Sequence, residues 1–258
     1  MTHAHFWLCD MDGVLIDAGH QVDGAADFLA RLRATGREFL VLTNNSLFTP
    51  RQICETLSIH GVAVERERLW TAALATARFV ADQRPAGSAF VIGEPAMHEA
   101  LAELDYPENP IDPDYVVVGE TWTYDFEAIT RAVRLIDAGS AFVATNPEPT
   151  GTTPDGALPG CGALTALIER ATGVAPYVVG KPNAVMIRDA LAILGAHSAE
   201  TVLVGDRMDT DVRAGTEAGI PTILVLSGVA TRADLAGAPY QPTRVVDSVR
   251  DLIAELEL

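Results

Sequence analysis

The feature that most constrains this chain is an alternation of short apolar runs with helix-length amphipathic segments. Residues 6–9, 39–42, 177–179, 202–204 and 222–226 are each too short for a helix, and the last four are rich in Val, Leu or Ile without polar alternation. Strands buried on both faces read this way. Helical patterns lie between them. Ala25–Ala34 is followed by Gly36, residues 50–60 open with Pro50 at the first helical position and stop before Gly61, and Ala184–Leu194 stops at Gly195. Strand–helix alternation predicts an α/β fold, a doubly wound parallel sheet with helices on both faces.

The middle of the chain repeats the theme. Ala89–Ile92, Tyr115–Val118 and Ala141–Ala144 read as strands, and residues 96–104, Phe126–Asp137 and 163–171 as helices. The organisation expected is a core domain of residues 1–79 and 178–258 with a second α/β unit, residues 80–177, inserted between its halves. Residues 82–87 read as the outgoing linker and 172–176 as the return. Residues 146–160 read as loop from their Pro and Gly content, and a loop this long inside a compact domain is more often functional than idle.

Composition narrows the class of function. With 48% hydrophobic and 21% charged residues the chain is not disordered. A formal charge of −17 repels nucleic-acid backbones and anionic lipid, so neither a nucleic-acid polymer nor a membrane is an expected partner. The same charge repels a small phosphate ester unless a cation or a local positive pocket intervenes. Cys9, Cys54 and Cys161 are an odd set without paired spacing, which argues against disulfides and structural zinc and for a reducing compartment. Neither a signal-peptide pattern nor an apolar stretch near the roughly 20 residues of a membrane span is present, so the expected location is cytoplasmic.

Ligands of open parallel sheets bind beyond the carboxyl ends of the strands. Four such ends carry polar residues: Asp10-Met11-Asp12-Gly13, Thr43-Asn44-Asn45-Ser46, Gly180-Lys181-Pro182, and Gly205-Asp206 running on to Asp209, Thr210 and Asp211. Asp10 and Asp12, two apart on extended backbone, project to one side, and two close carboxylates ionise together easily only around a cation. A hard divalent ion such as Mg²⁺ suits oxygen ligands, and Asp206 would add another. Thr43 and the following amides can donate to a phosphoryl oxygen, although taken alone a helix cap or an Asx turn explains them better. Lys181 is the only lysine among 18 basic residues and lies between Gly and Pro after an apolar run, a poor place for a solvated lysine. It would hold a phosphate oxygen as a point charge. Asp211, placed at the start of the next helix, would accept amide hydrogen bonds or hold a metal-bound water, and Asp209 fits a solvated cap.

These motifs, in this order and separation, resemble the four motifs of the haloacid dehalogenase (HAD) superfamily of phosphatases over the whole chain. The large insert resembles the α/β cap (C2 type) of subclass IIA, the NagD-like and p-nitrophenyl phosphatase-like group. Val118-Gly119-Glu120-Thr121, Ala144-Thr145-Asn146-Pro147, residues 158–163 and residues 225–229 carry that part of the likeness. The resemblance implies a Mg²⁺-dependent phosphomonoester hydrolase acting on small metabolites such as nucleoside monophosphates or sugar phosphates. Asp10 would be the nucleophile that becomes an aspartyl phosphate, and Asp12 the general acid and base. Asp10, the Asp12 carbonyl and Asp206 would bind the metal; Thr43, Asn44, Asn45 and Lys181 would hold the phosphate. The cap would choose the substrate and is a possible homodimer contact. Asn146 is a candidate substrate residue against a plain Asx turn. Arg207, where the relatives carry Asn, adds charge near the mouth. Trp122 and Tyr124 fit a packed cap core or a stacking platform, His20 a solvated or flap residue, and Cys9 the core. The alternative of a receiver-type phosphoacceptor module without turnover is disfavoured by Asp12, the Asp206–Asp211 loop and the insert.

Overall fold

The structure is a computed structural model that describes residues 4–153 and 156–257. It divides into two compact units, one drawn from residues 1–43, 51–70 and 181–258, the other from residues 44–50 and 71–180. The expected boundary at 79/80 falls inside the helix Ala72–Gln83, whose N-cap is Thr71.

The first unit is built on a six-stranded sheet. Its order is Arg244–Val246, Thr222–Val225, Thr201–Gly205, Phe6–Asp10, Glu38–Thr43 and Leu69–Thr71. The first five pair in parallel. Trp7 pairs with Phe39 on one side and Val202 on the other; two residues on, Cys9 pairs with Val41 and Val204, and Val204 with Ile223. All of these side chains belong to one buried cluster. The opposite face carries Leu8, Leu40 and Leu42, also buried, which is why the strands read as unbroken apolar runs. The helix Ala25–Ala34 covers the first face with Ala25, Phe28, Leu29 and Leu32, the one-sided spacing of an amphipathic helix. Burying each of its larger side chains contributes about 1.5–3 kcal/mol. Trp7 meets Phe28 edge-on at 5.6 Å between ring centroids.

The second unit holds a four-stranded parallel sheet in the order Tyr177–Val178, Ala141–Ala144, Tyr115–Val118, Ala89–Ile92. Ile92, Val116, Val118, Phe142 and Ala144 pack on Ala132, Leu135 and Ile136 of the helix Phe126–Asp137 and on Leu164 and Ile168 of the helix Cys161–Thr172. The fold is therefore α/β with two parallel sheets.

Three expectations change. The run at 177–179 is not a strand of the first sheet; Tyr177–Val178 pairs with Ala141–Ala144 in the second, and Tyr177 stacks on Phe79 at 4.9 Å. A Val-rich run records burial but not its neighbour. Residues 146–160 are not loop throughout, because Thr150–Thr153 and Gly156–Pro159 form an antiparallel hairpin; residues 154 and 155 of that segment lie outside the described residues. The two strands Leu69–Thr71 and Arg244–Val246 are absent from the sequence reading because three residues give no periodicity to read. No helix among the described residues is long and apolar enough to cross a membrane.

Candidate active site

The site is assembled at the carboxyl ends of the central strands of the first unit. Asp10 ends the strand Phe6–Asp10, Thr43 ends Glu38–Thr43, and Asp206 directly follows Thr201–Gly205. Lys181 enters from the chain that leaves the second sheet. Its Nζ lies 2.7 Å from Asp10 Oδ1 and 2.7 Å from Asp211 Oδ1, and donates to the Leu42 carbonyl at 3.3 Å. Lys181, Asp10, Asp206 and Asp211 are all at most 6% exposed. Asp10 Oδ1 also accepts the Met11 amide at 2.8 Å. Asp12 stands at the surface, with Thr43 Oγ1 3.5 Å from its Oδ2.

The loop after Asp206 differs from the helix start expected there. Met208–Val212 is a π-helical turn that runs into the helix Arg213–Ala218. Such turns break the regular ladder and recur at functional sites. Here it brings Asp211 back to the sheet, where its Oδ2 accepts the Arg207 amide at 3.2 Å and the Thr210 hydroxyl at 3.3 Å. Arg207 turns its guanidinium onto Asp209, with contacts of 3.1 and 2.8 Å.

A further segment holds Asp206, and the sequence reading gave it no role. Val229 N donates to Asp206 Oδ2 at 2.7 Å, Ala230 N to the Asp206 carbonyl at 3.0 Å, and Ser227 Oγ to the Gly13 carbonyl at 2.6 Å. Gly13 and Gly228 close on that carboxylate from two sides. A Cβ at either position would collide with Asp206 Oδ2, and Gly13 also has φ +72°. The readable signal is Ser227-Gly228 at the end of the strand Thr222–Val225, on the same sheet edge.

Four carboxylates crowd against one ammonium, and their acidities record it. Burial pushes the Asp10 carboxyl well up, the Asp211 charge pushes further, and Lys181 pulls back. Burial and Asp211 lift Asp206 to about 6 against the Val229 amide and Lys181. Asp12 is raised too; a carboxyl open on one side yet ringed by protein loses hydration, and Lys181 and Thr43 offset only part of that. Burial alone would lower Lys181, but Asp10 and Asp211 outweigh it and raise it. Cys9 is buried, and burial with the Asp10 charge raises its thiol, so it is core and not a nucleophile.

One carboxylate oxygen from each of Asp10, Asp206 and Asp211 lies within 4.8 Å of the others. An all-oxygen, buried, net-negative donor set of this kind fits a hard divalent cation. It is also a poor place for bare carboxylates, since Asp206 and Asp211 push up Asp10 and Asp211 pushes up Asp206.

Asn44, Asn45 and Asn146 belong to the second unit. Asn44 Nδ2 donates to Glu148 Oε1 at 2.7 Å. Asn45 Oδ1 accepts the amides of Leu47 and Phe48 at 3.1 and 3.0 Å, a side-chain turn ahead of the helix Pro50–Ile59. Asn146 Nδ2 donates to the Asn44 carbonyl at 2.9 Å, and its Oδ1 accepts the Glu148 amide at 3.2 Å. The Asx-turn reading of Asn146 is thus the one its contacts express. Trp122 and Tyr124 are about half exposed and do not build the core of the second unit.

Residues 7–107 match the haloacid dehalogenase-like hydrolase family, and residues 178–252 the HAD-hydrolase-like family. The chain is 49% identical over 252 residues to the dihydroxyacetone phosphatase of Corynebacterium glutamicum, covering 98% of this chain and 92% of that protein. It is 39% identical to NagD of Escherichia coli, whose solved structure superimposes with a TM-score of 0.90 over 96% of this chain and 97% of that one. A 4-nitrophenylphosphatase from Thermotoga maritima superimposes with a TM-score of 0.93 at 29% identity, over 98% and 97% of the two chains. The chain belongs to the haloacid dehalogenase-like hydrolases, among the NagD-like and p-nitrophenyl phosphatase-like phosphatases of subclass IIA.

Proposed function

We propose that this phosphatase hydrolyses small phosphate monoesters through a covalent aspartyl phosphate, with Mg²⁺ as its cofactor. The observation that carries the reading is the Lys181 ammonium held 2.7 Å from both Asp10 and Asp211 in a buried acidic cluster that also includes Asp206. Asp10, the Asp12 carbonyl and Asp206 would hold the metal, with Asp211 fixing the cluster from behind. When bound, the ion supplies positive charge that balances the carboxylates against a phosphate dianion.

Asp10 attacks phosphorus in line, so a carboxylate O–P bond forms as the ester P–O bond breaks. Asp12, whose raised pKa favours its protonated form, gives its proton to the departing alkoxide. Ionised Asp12 then takes a proton from the water that attacks the aspartyl phosphate, which frees inorganic phosphate and restores Asp10. Thr43, the amides of Asn44 and Asn45, and Lys181 hold the oxygens that do not react. Positioning and charge stabilisation are most of what phosphoryl transfer requires. The inserted unit would act as the cap that excludes water and reads the leaving group.

The relatives' names guide the substrate panel. One is a dihydroxyacetone phosphatase, another a ribonucleotide monophosphatase, a third an acid sugar phosphatase. The test is phosphate release from dihydroxyacetone phosphate, a nucleoside monophosphate and a hexose phosphate, each with Mg²⁺ and after exhaustive chelation. Many turnovers per enzyme with Mg²⁺ and none after chelation are expected. Turnover indifferent to chelation overturns the metal assignment, and a single stoichiometric phosphorylation overturns hydrolysis.

A further inference from the structure

The second unit contains a polar cluster, two buried hydroxyls and a half-buried carboxylate, that the chemistry above leaves without a role. Glu120 follows the strand Tyr115–Val118 after Gly119, and Thr145 follows Ala141–Ala144. Ser46 belongs to the same unit although it lies just beyond Thr43 in the chain. Glu120 Oε2 accepts Ser46 N at 2.8 Å and Ser46 Oγ at 3.2 Å. In return Glu120 N donates to Ser46 Oγ at 3.0 Å, and Thr145 Oγ1 lies 2.9 Å from that hydroxyl. A serine hydroxyl has one donor and two acceptor positions. Ser46 Oγ donates to the Glu120 carboxylate and accepts from the Glu120 amide, with the Thr145 hydroxyl in contact at its remaining position.

Thr145 reaches a second segment through its backbone. Its carbonyl accepts Gly180 N at 2.8 Å, and a Cβ on Gly180 would collide with that carbonyl and lie 2.7 Å from Asn44 Oδ1. The cluster therefore fixes the residues on the second-unit side of two chain crossings, Thr43 to Asn44 and Gly180 to Lys181. Thr43 and Lys181 are the two side chains assigned above to hold phosphate, and the Asn44 and Asn45 amides lie within the fixed segment.

We propose that Glu120, Ser46 and Thr145 are positioning residues for the phosphate grip, acting through those two crossings. The proposal rests on the phosphatase reading. Ser46 and Thr145 are 0% exposed. Apolar side chains of similar volume would pack the places of Ser46 and Thr145 with comparable stability, so the two buried hydroxyls, tied to the half-buried Glu120, serve geometry before stability. Because the cluster sets the grip and not the leaving group, its loss reads out identically on every ester.

The test compares Glu120→Ala, Glu120→Gln and Thr145→Val with wild type. Hydrolysis of phenyl phosphate, p-nitrophenyl phosphate and a nucleoside monophosphate is measured, together with competitive inhibition by inorganic phosphate and thermal midpoints. Displacing reacting groups by about 1 Å costs on the order of 10²-fold, so Glu120→Ala should lower kcat/KM by about ten- to a hundredfold, equally for all three esters. The inhibition constant of inorganic phosphate should rise in parallel. Glu120→Gln keeps an acceptor oxygen and should recover most of the loss, while Thr145→Val should fall between. A loss that grows with leaving-group size at unchanged phosphate inhibition overturns the proposal, as does parity of all three variants with wild type. Absence of wild-type turnover removes the phosphatase reading itself, and this inference with it; normal wild-type turnover with variant parity removes only this inference.

Discussion

Two parallel sheets in one chain present their strand ends to very different use. In the first unit the ends deliver Asp10, Asp206 and, within a π-helical turn, Asp211 to one small volume, where carboxylates face one another around a single ammonium. In the second unit the ends carry Gly93-Glu94, Gly119-Glu120 and Thr145-Asn146. Each carboxylate there serves a separate loop. Glu94 Oε1 accepts the Thr121 hydroxyl and the Trp122 amide, both at 2.9 Å, and Glu120 fastens Ser46. One architecture offers the same edge twice. Crowding the charges builds the cluster proposed to react, and separating them among N–H and O–H donors makes a fastening.

The contrast can be broken most directly at Asp10. Asp10→Asn keeps the shape and removes the proposed nucleophile, so phosphate release should fall by about four orders of magnitude or more with circular dichroism unchanged. Activity within tenfold of wild type would mean that the crowded edge is not where the bond is made. Next comes charge balance. Lys181→Met leaves Asp10 and Asp211 facing each other without their ammonium, and removing one partner of a buried pair costs about 3–5 kcal/mol. Denaturant unfolding of the metal-free protein measures it. Glu94→Gln is the matched change in the other sheet, where the amide oxygen still accepts from Thr121 and Trp122. Its cost should stay near the 0.5–1.5 kcal/mol of about one ordinary hydrogen bond. Equal costs for the two variants would erase the distinction between crowded and separated carboxylates.

The smallest effect concerns acid. The Arg84 guanidinium and the Ser88 amide hold Asp114 below its ordinary value of 3.8. A depressed carboxylate adds stability that is present above the unfolded-state pKa and is lost as pH falls through the folded-state pKa. Asp114→Asn should therefore flatten the acid limb of the stability profile below about pH 4 and cost under about 1 kcal/mol at neutral pH, since the pair is exposed. Urea titrations at pH 7 and pH 3 check both parts.

What the sequence discloses and what it hides differ by the range of the interaction. Asp10, Thr43 and Asp206 are legible because each directly follows an apolar run, and a polar residue at that place is costly unless used. Lys181 is legible for its rarity, yet the strand before it pairs in the other sheet. Burial on two faces leaves its mark on composition, while the identity of the neighbouring strand is decided by tertiary packing. The Ser46–Glu120 contact spans 74 residues; each member closes or follows an apolar run, but nothing local pairs the two. The hold of Val229 on Asp206 is hidden the same way, although Ser227-Gly228 at a strand end offered a hint. Asn146 beside Pro reads equally as a ligand residue or a turn residue, and its contacts are those of a turn that also ties back to the Asn44 carbonyl.

The strand Phe6–Asp10 lies between Glu38–Thr43 and Thr201–Gly205, so one of its two neighbours is made long after it. At a synthesis rate of about 5–20 residues per second, the nascent chain waits on the order of ten seconds with that central strand's second flank open. During the wait a row of unpaired amides and carbonyls, with Trp7 and Cys9 beside it, is available to any extended segment nearby. The intervening residues build the other sheet meanwhile. The second sheet is therefore complete before the first, and a truncation near residue 200 would leave Asp10 on an incomplete sheet.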